Sequence, residues 1–292
     1  MTDPATCSFL SAADEPLPGT AAHTTGWLCL EHPGAWGRDV FGGEALGAEL
    51  SARLERHVAA AGVRLLLIRR PGRPASAPPE RTVLLARTHP DGAWCERLTV
   101  GDPAELLELD LAMPAAAPGI GEVVTDPVVL VCAHGKRDQC CAVLGRPIAA
   151  ALSDRFGDTV WECSHTGGHR FAPSMILLPS GYTYGRLDAE QSVAAVLAAG
   201  RGEVYQRGLR GRSTWTDAGQ VAEIAVRESV SAASAELTVD ETGARPVVRH
   251  RDGRAWEVAM SGVELQARPP SCGAVPKAVL ALVADGVRAL PV

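Results

Sequence analysis

The chain has 292 residues, of which 46% are hydrophobic and only 4% aromatic, so Leu, Val and Ala must fill a large core. Its formal net charge of −6 and the lack of lysine- or arginine-rich runs argue against nucleic acid as a main partner. The chain does not open with a basic segment followed by an apolar one, so we expect no secretory signal. It has no apolar run of about eighteen residues, so we expect no membrane span. We therefore expect a cytoplasmic protein whose eight cysteines are reduced thiols or metal ligands.

The first half of the chain predicts the element order β-α-β-β-β-α. A lead-in over residues 1–25 is expected to be extended or loosely ordered. A strand over residues 27–31 precedes a helix over residues 44–60, in which leucines recur at helical spacing. One further strand follows, then two antiparallel strands joined by a turn at residues 89–92, and Asp102 is expected to cap a short helix.

The same order returns after a linker over residues 111–127. A β-branched strand ends at Cys132. Asp138 is expected to cap a helix over residues 138–156 that bends at Pro147. A second strand, a hairpin and a helix over residues 188–199 follow. A helix between two strands favours parallel pairing of those strands, and the hairpin adds antiparallel ones.

These patterns predict an α/β fold made of two thioredoxin-like βαβββα units, over residues 1–122 and 123–206. The first unit has Cys29 and His32 near the matching strand end, but it has no second cysteine in that loop and no His-x3-His. We expect it to be a degenerate, structural partner of the second. Residues 207–292 are predicted to form a small α+β module with one amphipathic helix, short strands and a last helix near the end of the chain.

Four candidate metal ligands lie in the second predicted unit. Cys132 ends a buried strand, and Cys141 stands at the start of a helix, where the helix N-terminus favours a thiolate. His165 and His169 bracket a segment with two glycines, which allows a tight excursion that turns both imidazoles the same way. Two thiolates and two imidazoles make a closed set of four ligands, so the sequence predicts a metal site.

The stretch over residues 128–187 resembles the sucrase/ferredoxin-like family, a branch of the thioredoxin-like ferredoxins. Three segments carry the resemblance: CAHGKRDQCC (132–141), HTGGHRFAP (165–173) and LPSGYTYGRL (178–187). The combination is specific because two unusual spacings occur in the right order. The resemblance reaches the N-terminal half only weakly, and the word sucrase implies no glycosidase activity.

The resemblance implies that Cys132 and Cys141 hold one iron of a [2Fe–2S] cluster and that His165 and His169 hold the other, as in a Rieske-type arrangement. Neutral imidazoles in place of two thiolates raise the reduction potential, into a range of about −150 to +300 mV. The implied function is one-electron transfer or redox sensing with an unidentified redox partner protein. Such a protein is an electron carrier rather than an enzyme.

Two other functions stay open at this stage. The same four residues suit a structural zinc ion, although zinc-binding cysteines usually lie only two to four residues apart. A thioredoxin-like thiol oxidoreductase suits the fold, but the chain has no Cys-x-x-Cys, and the vicinal pair Cys140–Cys141 is a strained substitute. Glycine motifs of nucleotide-binding enzymes are absent. The sequence does not indicate an oligomeric state.

Several neighbours of the four ligands have alternative roles. Cys140 competes with Cys141 as ligand, and the family spacing favours Cys141. His134 is expected either to donate a hydrogen bond to a cluster sulfide or to be solvated in its loop. Arg137 is expected to offset cluster charge, to contact an acidic partner or simply to be solvated.

The glycine pair and a proline complete the predicted surroundings of the site. Gly167 and Gly168 would let a cluster approach the main chain closely. Pro173 falls where thioredoxin-like folds carry a cis-proline, so we predict a cis bond before it. Cys163 is expected to be buried and inert. The remaining cysteines are expected to be structural or exposed thiols: Cys7, Cys29, Cys95 and Cys272.

Overall fold

The structure is a computed structural model, and it describes residues 6–72 and 79–291. The α-helices in these ranges are α1 (Cys7–Ala12), α2 (Ala48–Ala60), α3 (Gln139–Phe156), α4 (Ala189–Gly200) and α5 (Asp217–Arg227). Short 3-10 helices lie at Pro103–Glu108, Gly157–Thr159 and His169–Phe171. The strands are β1 (Gly26–Glu31), β2 (Val63–Arg69), β3 (Arg81–Arg87), β4 (Trp94–Val100), β5 (Glu122–Val123), β6 (Val128–Cys132), β7 (Val160–Cys163), β8 (Ser174–Leu178), β9 (Tyr182–Gly185), β10 (Leu209–Arg212), β11 (Leu237–Asp240), β12 (Val247–His250), β13 (Ala255–Arg268) and β14 (Lys277–Ala289). None of the described helices is long and apolar enough to cross a membrane.

The strands form two sheets, and the mixed α/β class is confirmed. Ten strands make one mixed sheet in the order β10-β9-β8-β6-β7-β2-β1-β3-β4-β5, and β11 to β14 make a second, antiparallel one. The large sheet contains β10, which lies beyond residue 206, the predicted end of the second unit, and pairs with β9.

The predicted element order occurs twice within the large sheet. In the first half, β1 and β2 are parallel and joined through α2, while β3 and β4 add antiparallel strands beyond β1. In the second half, β6 and β7 are parallel and joined through α3, while β8 and β9 are antiparallel. The halves meet where β2 and β7 pair in antiparallel fashion at Ile68 and Cys163. The ends of β6 and β7 therefore lie near the middle of the sheet.

Two caps predicted from the sequence are present. Asp102 accepts a hydrogen bond from the Ala104 N–H and forms a capping box with Glu105, although the helix it opens is a 3-10 helix. Asp138 accepts a hydrogen bond from the Cys140 N–H and begins α3, which continues through Pro147 to Phe156 as one helix. The start of α3, and with it Cys141, is thus set by Asp138.

Two predictions about the ends of the chain are wrong. The lead-in contains helix α1, whose Cys7, Ser8 and Ser11 are buried against the rest of the molecule. The predicted last helix is instead the strand β14, which pairs with β13 over most of its length. Leu280 is 70% exposed while the next residue, Ala281, is buried, which is the alternation of a strand.

Helix α5 is fixed to the large sheet by a buried polar group. Glu223 accepts hydrogen bonds from the Tyr182 hydroxyl, the Trp215 indole N–H and the Arg227 guanidinium. Burial alone would raise the pKa of Glu223, but Arg227 and Arg212 outweigh it and hold that pKa below its usual value. This network joins the C-terminal residues to β9 without contributing to the candidate site.

Candidate metal centre

Three of the four predicted ligands meet at one point. The ligand atoms of Cys132, Cys141 and His165 all lie within 4.8 Å of one another. The Cys141 Sγ atom is 4.0 Å from Nδ1 of His165. Both cysteines are buried and His165 is half-buried. These side chains come from the end of β6, the start of α3 and the segment after β7, so the ends of two central strands and the helix N-terminus build the site together.

A close contact between α3 and β6 brings the two cysteines together. Gly145 lies one turn after Cys141 on α3 and faces the last residue of β6. A Cβ atom added to Gly145 would lie 2.0 Å from the Cys132 carbonyl oxygen, a distance that no backbone atom tolerates. Only glycine therefore lets α3 come this near to β6, and this approach places Cys141 beside Cys132.

The protonation of the two thiols follows from their contact. The Cys141 thiol donates a hydrogen bond to Cys132, and together with His165 it holds the pKa of Cys132 well below its usual value despite burial. Cys132 in turn raises the pKa of Cys141. Cys132 is therefore the thiol of the pair that loses its proton more readily. A metal ion that displaces the protons of both thiols would neutralise the charge of both sulfurs.

His169 lies next to this group and offers a free ring nitrogen. Its ring centroid is 5.0 Å from that of His165, but its ligand atoms are not within the 4.8 Å group. Nε2 is 2.5 Å from the carbonyl oxygen of Pro270, and because a carbonyl only accepts, Nε2 carries the proton. Nδ1 therefore keeps its lone pair, and it is buried with no hydrogen-bond partner among the described residues. An orphaned, deprotonated ring nitrogen at this position fits a metal ligand.

His134 lies beside the site and forms hydrogen bonds with backbone groups of Gly37 and His165. The side chain is buried, and its Nε2 donates to the Gly37 carbonyl at 2.9 Å. Its Nδ1 accepts the backbone N–H of His165 at 3.1 Å. The expected solvated loop histidine is therefore wrong, and with both nitrogens engaged no N–H remains for a cluster sulfide. His134 instead positions the His165 backbone and ties it to the N-terminal half.

The glycine pair lies in a turn that a buried arginine holds. Gly167 and Gly168 both have positive φ, +97° and +67°. Arg210 donates to the Gly167 carbonyl at 3.2 Å and to the Ser174 hydroxyl at 2.9 Å. A Cβ on Gly168 would lie 2.5 Å from the Arg210 guanidinium and 2.7 Å from the Phe171 ring. A side chain at residue 168 would therefore collide with Arg210 and Phe171, the groups that approach this glycine most closely.

Sequence reasoning did not identify Arg210. The side chain is fully buried on β10, and burial lowers its pKa to about 9, an effect that Cys132 partly offsets. No carboxylate of the described residues pairs with it within salt-bridge distance. Arg201, Arg207 and Arg212 lie nearby in the sequence, Arg212 is buried as well, and nothing local shows that Arg210 is the one that reaches this turn.

The predicted cis bond before Pro173 is confirmed. The Ala172–Pro173 peptide is cis, and so is Leu178–Pro179 at the other end of β8. Pro173 directly precedes β8 and follows the short helix that carries His169. Pro173 therefore lies in the segment that connects the candidate ligand His169 to β8.

One side of the site opens to the surface through a basic cleft. A cavity of about 180 Å³ is bordered by His165, His134 and three arginines: Arg38, Arg64 and Arg137. Arg64 donates to the His165 carbonyl at 3.1 Å. Arg137 is exposed and lies 3.7 Å from the Asp39 carboxylate. The half-buried imidazole of His165 is thus the part of the site nearest to a positively charged surface.

The other cysteines fall into two sets. Cys29, Cys95 and Cys163 are buried in the core that β1, β4 and β7 share, as structural thiols. Cys140 points away from Cys141 and lies in a separate group with Cys7, Cys272 and Asp138. Cys7 and Cys272, which the sequence predicted only as structural or exposed thiols, lie together because α1 and the segment before β14 both pack against the start of α3.

Comparison with known proteins gives a family match. A family model described as sucrase/ferredoxin-like matches residues 17–211, well over half of the chain and a range that contains all four candidate ligands. Searches of curated proteins and of solved structures return no match. Cys7 and Cys272 lie outside the matched residues.

Proposed function

The chain belongs to the sucrase/ferredoxin-like family, and on that premise we propose that it is a one-electron carrier or redox sensor with a Rieske-like [2Fe–2S] cluster. Cys132 and Cys141 would hold one iron, and His165 and His169 the other. Such a cluster, when bound, supplies reversible transfer of one electron at about −150 to +300 mV. We further propose that the two βαβββα runs are thioredoxin-like units and that only the second holds the cluster.

The orphaned Nδ1 of His169 is the observation that carries the proposal. The group of Cys132, Cys141 and His165 lacks a fourth ligand, and the free Nδ1 of His169, whose ring lies beside that of His165, can supply it. The family match favours a cluster over a single zinc ion at these four donors. The Pro270 carbonyl fixes the tautomer of His169, and His134 fixes the backbone of His165. Both histidines are thus oriented by groups outside the site, which is what ligating histidines need.

The charges around the site favour an added electron. Arg210 places a buried positive charge near Cys132, with no carboxylate of the described residues to offset it. A buried positive charge stabilises the more negative, reduced state and so raises the reduction potential. Water is largely excluded because both cysteines are buried, while His165 borders the cleft and offers electrons a way to the surface.

Replacing His169 by Cys tests histidine ligation. The variant is expected to keep its cluster, because a thiolate also ligates iron. Its reduction potential should fall by several hundred mV, toward the value of about −400 mV typical of plant-type ferredoxins with four cysteine ligands. Redox titration followed by visible absorption measures the change. The matched control is His57→Cys, on α2, whose potential should equal that of the wild type; an unchanged potential in His169→Cys would contradict histidine ligation.

We propose that the redox partner presents an acidic surface to the cleft. Arg38, Arg64 and Arg137 give the cleft a positive charge next to His165, and such fields accelerate the approach of anionic partners. Arg137→Glu should therefore slow oxidation of the reduced protein by ferricyanide by about tenfold at low ionic strength. Stopped-flow absorption measures the rate, and the loss should shrink as salt is added.

A remote charge reversal is the control for this cleft. Arg288→Glu, on β14, changes net charge by the same amount at an exposed position away from the cleft. It should leave the ferricyanide rate almost unchanged. Equal slowing by Arg137→Glu and Arg288→Glu would show that overall charge, and not the cleft, directs electron transfer.

A further inference from the structure

Three thiols and one carboxylate meet at the start of α3, on the side away from Cys141. The Sγ atoms of Cys7 and Cys140 are 3.7 Å apart, those of Cys7 and Cys272 are 3.6 Å apart, and those of Cys140 and Cys272 are 3.2 Å apart. Asp138 Oδ2 is 3.7 Å from the Cys7 Sγ atom. All four ligand atoms lie within 4.8 Å of one another.

Two of these sulfur–sulfur distances match a tetrahedral metal site, and the third, 3.2 Å between Cys140 and Cys272, is shorter. A zinc–sulfur bond of about 2.3 Å with tetrahedral angles places neighbouring sulfur ligands about 3.8 Å apart. Two of the three sulfur–sulfur distances come within about 0.2 Å of that value. A disulfide would join only two of the thiols, at about 2.05 Å, and would leave the third thiol and the carboxylate without a function.

The surroundings complete the set of ligands. Asp138 is held rigidly, because Oδ1 accepts the Cys140 N–H at 2.9 Å and Oδ2 accepts the Cys272 N–H at 2.8 Å. Each oxygen keeps a lone pair for a cation. The Ser8 hydroxyl donates to the Cys140 sulfur at 3.2 Å, a bond that stabilises a thiolate. Cys7, Cys140 and Asp138 are buried and Cys272 is half-buried, so no open position is left for a substrate.

We propose that Cys7, Cys140, Cys272 and Asp138 bind a structural zinc ion that is separate from the redox site. Three thiolates and one carboxylate carry the same charge as the four thiolates of ordinary structural zinc sites. The ion joins helix α1, the start of α3 and the segment before β14, which are more than 130 residues apart in sequence. Zinc binding therefore stabilises the packing of α1 and of the segment before β14 against the start of α3.

Metal analysis of the full-length protein tests this proposal. The protein is produced with iron and zinc supplied, dialysed, and its metals are counted by mass spectrometry. We expect about one zinc ion per chain, bound to three sulfur atoms at about 2.3 Å and one oxygen in X-ray absorption at the zinc edge. Cys7→Ser and Cys272→Ser should each lower the zinc content at least tenfold, while iron content and visible absorption stay at the wild-type level.

Cys95→Ser, a buried thiol outside the group, is the control and should retain zinc. Zinc-free wild-type protein, or zinc content that neither Cys7→Ser nor Cys272→Ser lowers, would overturn the proposal. If these variants do not fold, the zinc-edge spectrum of the wild type decides: three sulfurs and one oxygen support the site, and any other ligand set refutes it. Zinc bound to two sulfurs and two nitrogens without iron would refute the proposed redox function as well, whereas a three-sulfur zinc without iron would refute that function alone.

Discussion

Replacing Cys141 by Ser is expected to remove the iron and the visible absorption of the protein, whereas Cys140→Ser should keep both. The two cysteines are neighbours in the sequence, but only Cys141 points toward Cys132 and His165. Loss of one of four ligands leaves an iron with an open coordination position, which weakens the binding of the cluster. Iron content per chain and absorbance in the visible range, measured after anaerobic purification, check the prediction.

Each of these two variants is the control for the other. Both replace a buried cysteine on the first turn of α3 by serine, so a general loss of stability would affect them alike. Iron lost from Cys140→Ser and retained by Cys141→Ser would assign the wrong cysteine to the redox site. Zinc should show the reverse behaviour, with loss from Cys140→Ser only.

Replacing Gly145 by Ala is expected to abolish cluster binding although residue 145 ligates nothing. The new Cβ would meet the Cys132 carbonyl oxygen at 2.0 Å, and because both partners are backbone, α3 must move away from β6. That movement carries Cys141 away from Cys132. We expect iron content to fall at least tenfold, since ligand geometry must hold to within about 0.5 Å.

Gly200→Ala is the matched control for Gly145→Ala. Gly200 ends α4, and no atom lies within 4 Å of a Cβ added there. Because alanine is also the better helix former, this variant should bind iron normally and unfold no more easily than the wild type. If Gly145→Ala bound iron as well as Gly200→Ala does, the close approach of α3 would not be what assembles the site.

Features that depend on residues close together in the sequence could be predicted. The spacing around Cys132 and Cys141, the cap at Asp138 and the turn with paired glycines before His169 each depend on local geometry. Helix α1 could not be predicted, because a segment of six residues forms a helix only when tertiary contacts stabilise it. The segment of β14 is rich in Val, Leu and Ala, which suit a helix and a strand alike, and only pairing with β13 decides between them.

Contacts between distant parts of the chain could not be predicted. Cys7 and Cys272 are 265 residues apart, and nothing local in either segment shows that they meet beside Cys140. Arg210 reaches the turn at Gly167 from the far edge strand of the sheet. His134 appears in the motif, but its two hydrogen bonds follow only from the packing of the N-terminal half against the loop. Such contacts depend on topology and not on spacing.

The most direct test of the redox centre is a count of iron and acid-labile sulfide in anaerobically purified full-length protein, together with its electron paramagnetic resonance spectrum after reduction by one electron. We predict about two iron ions and about two sulfides per chain, a brown colour, and a signal from the reduced sample that integrates to about one spin per chain. A colourless protein without iron, whether it holds zinc at Cys132 and Cys141 or no metal there, would contradict the account.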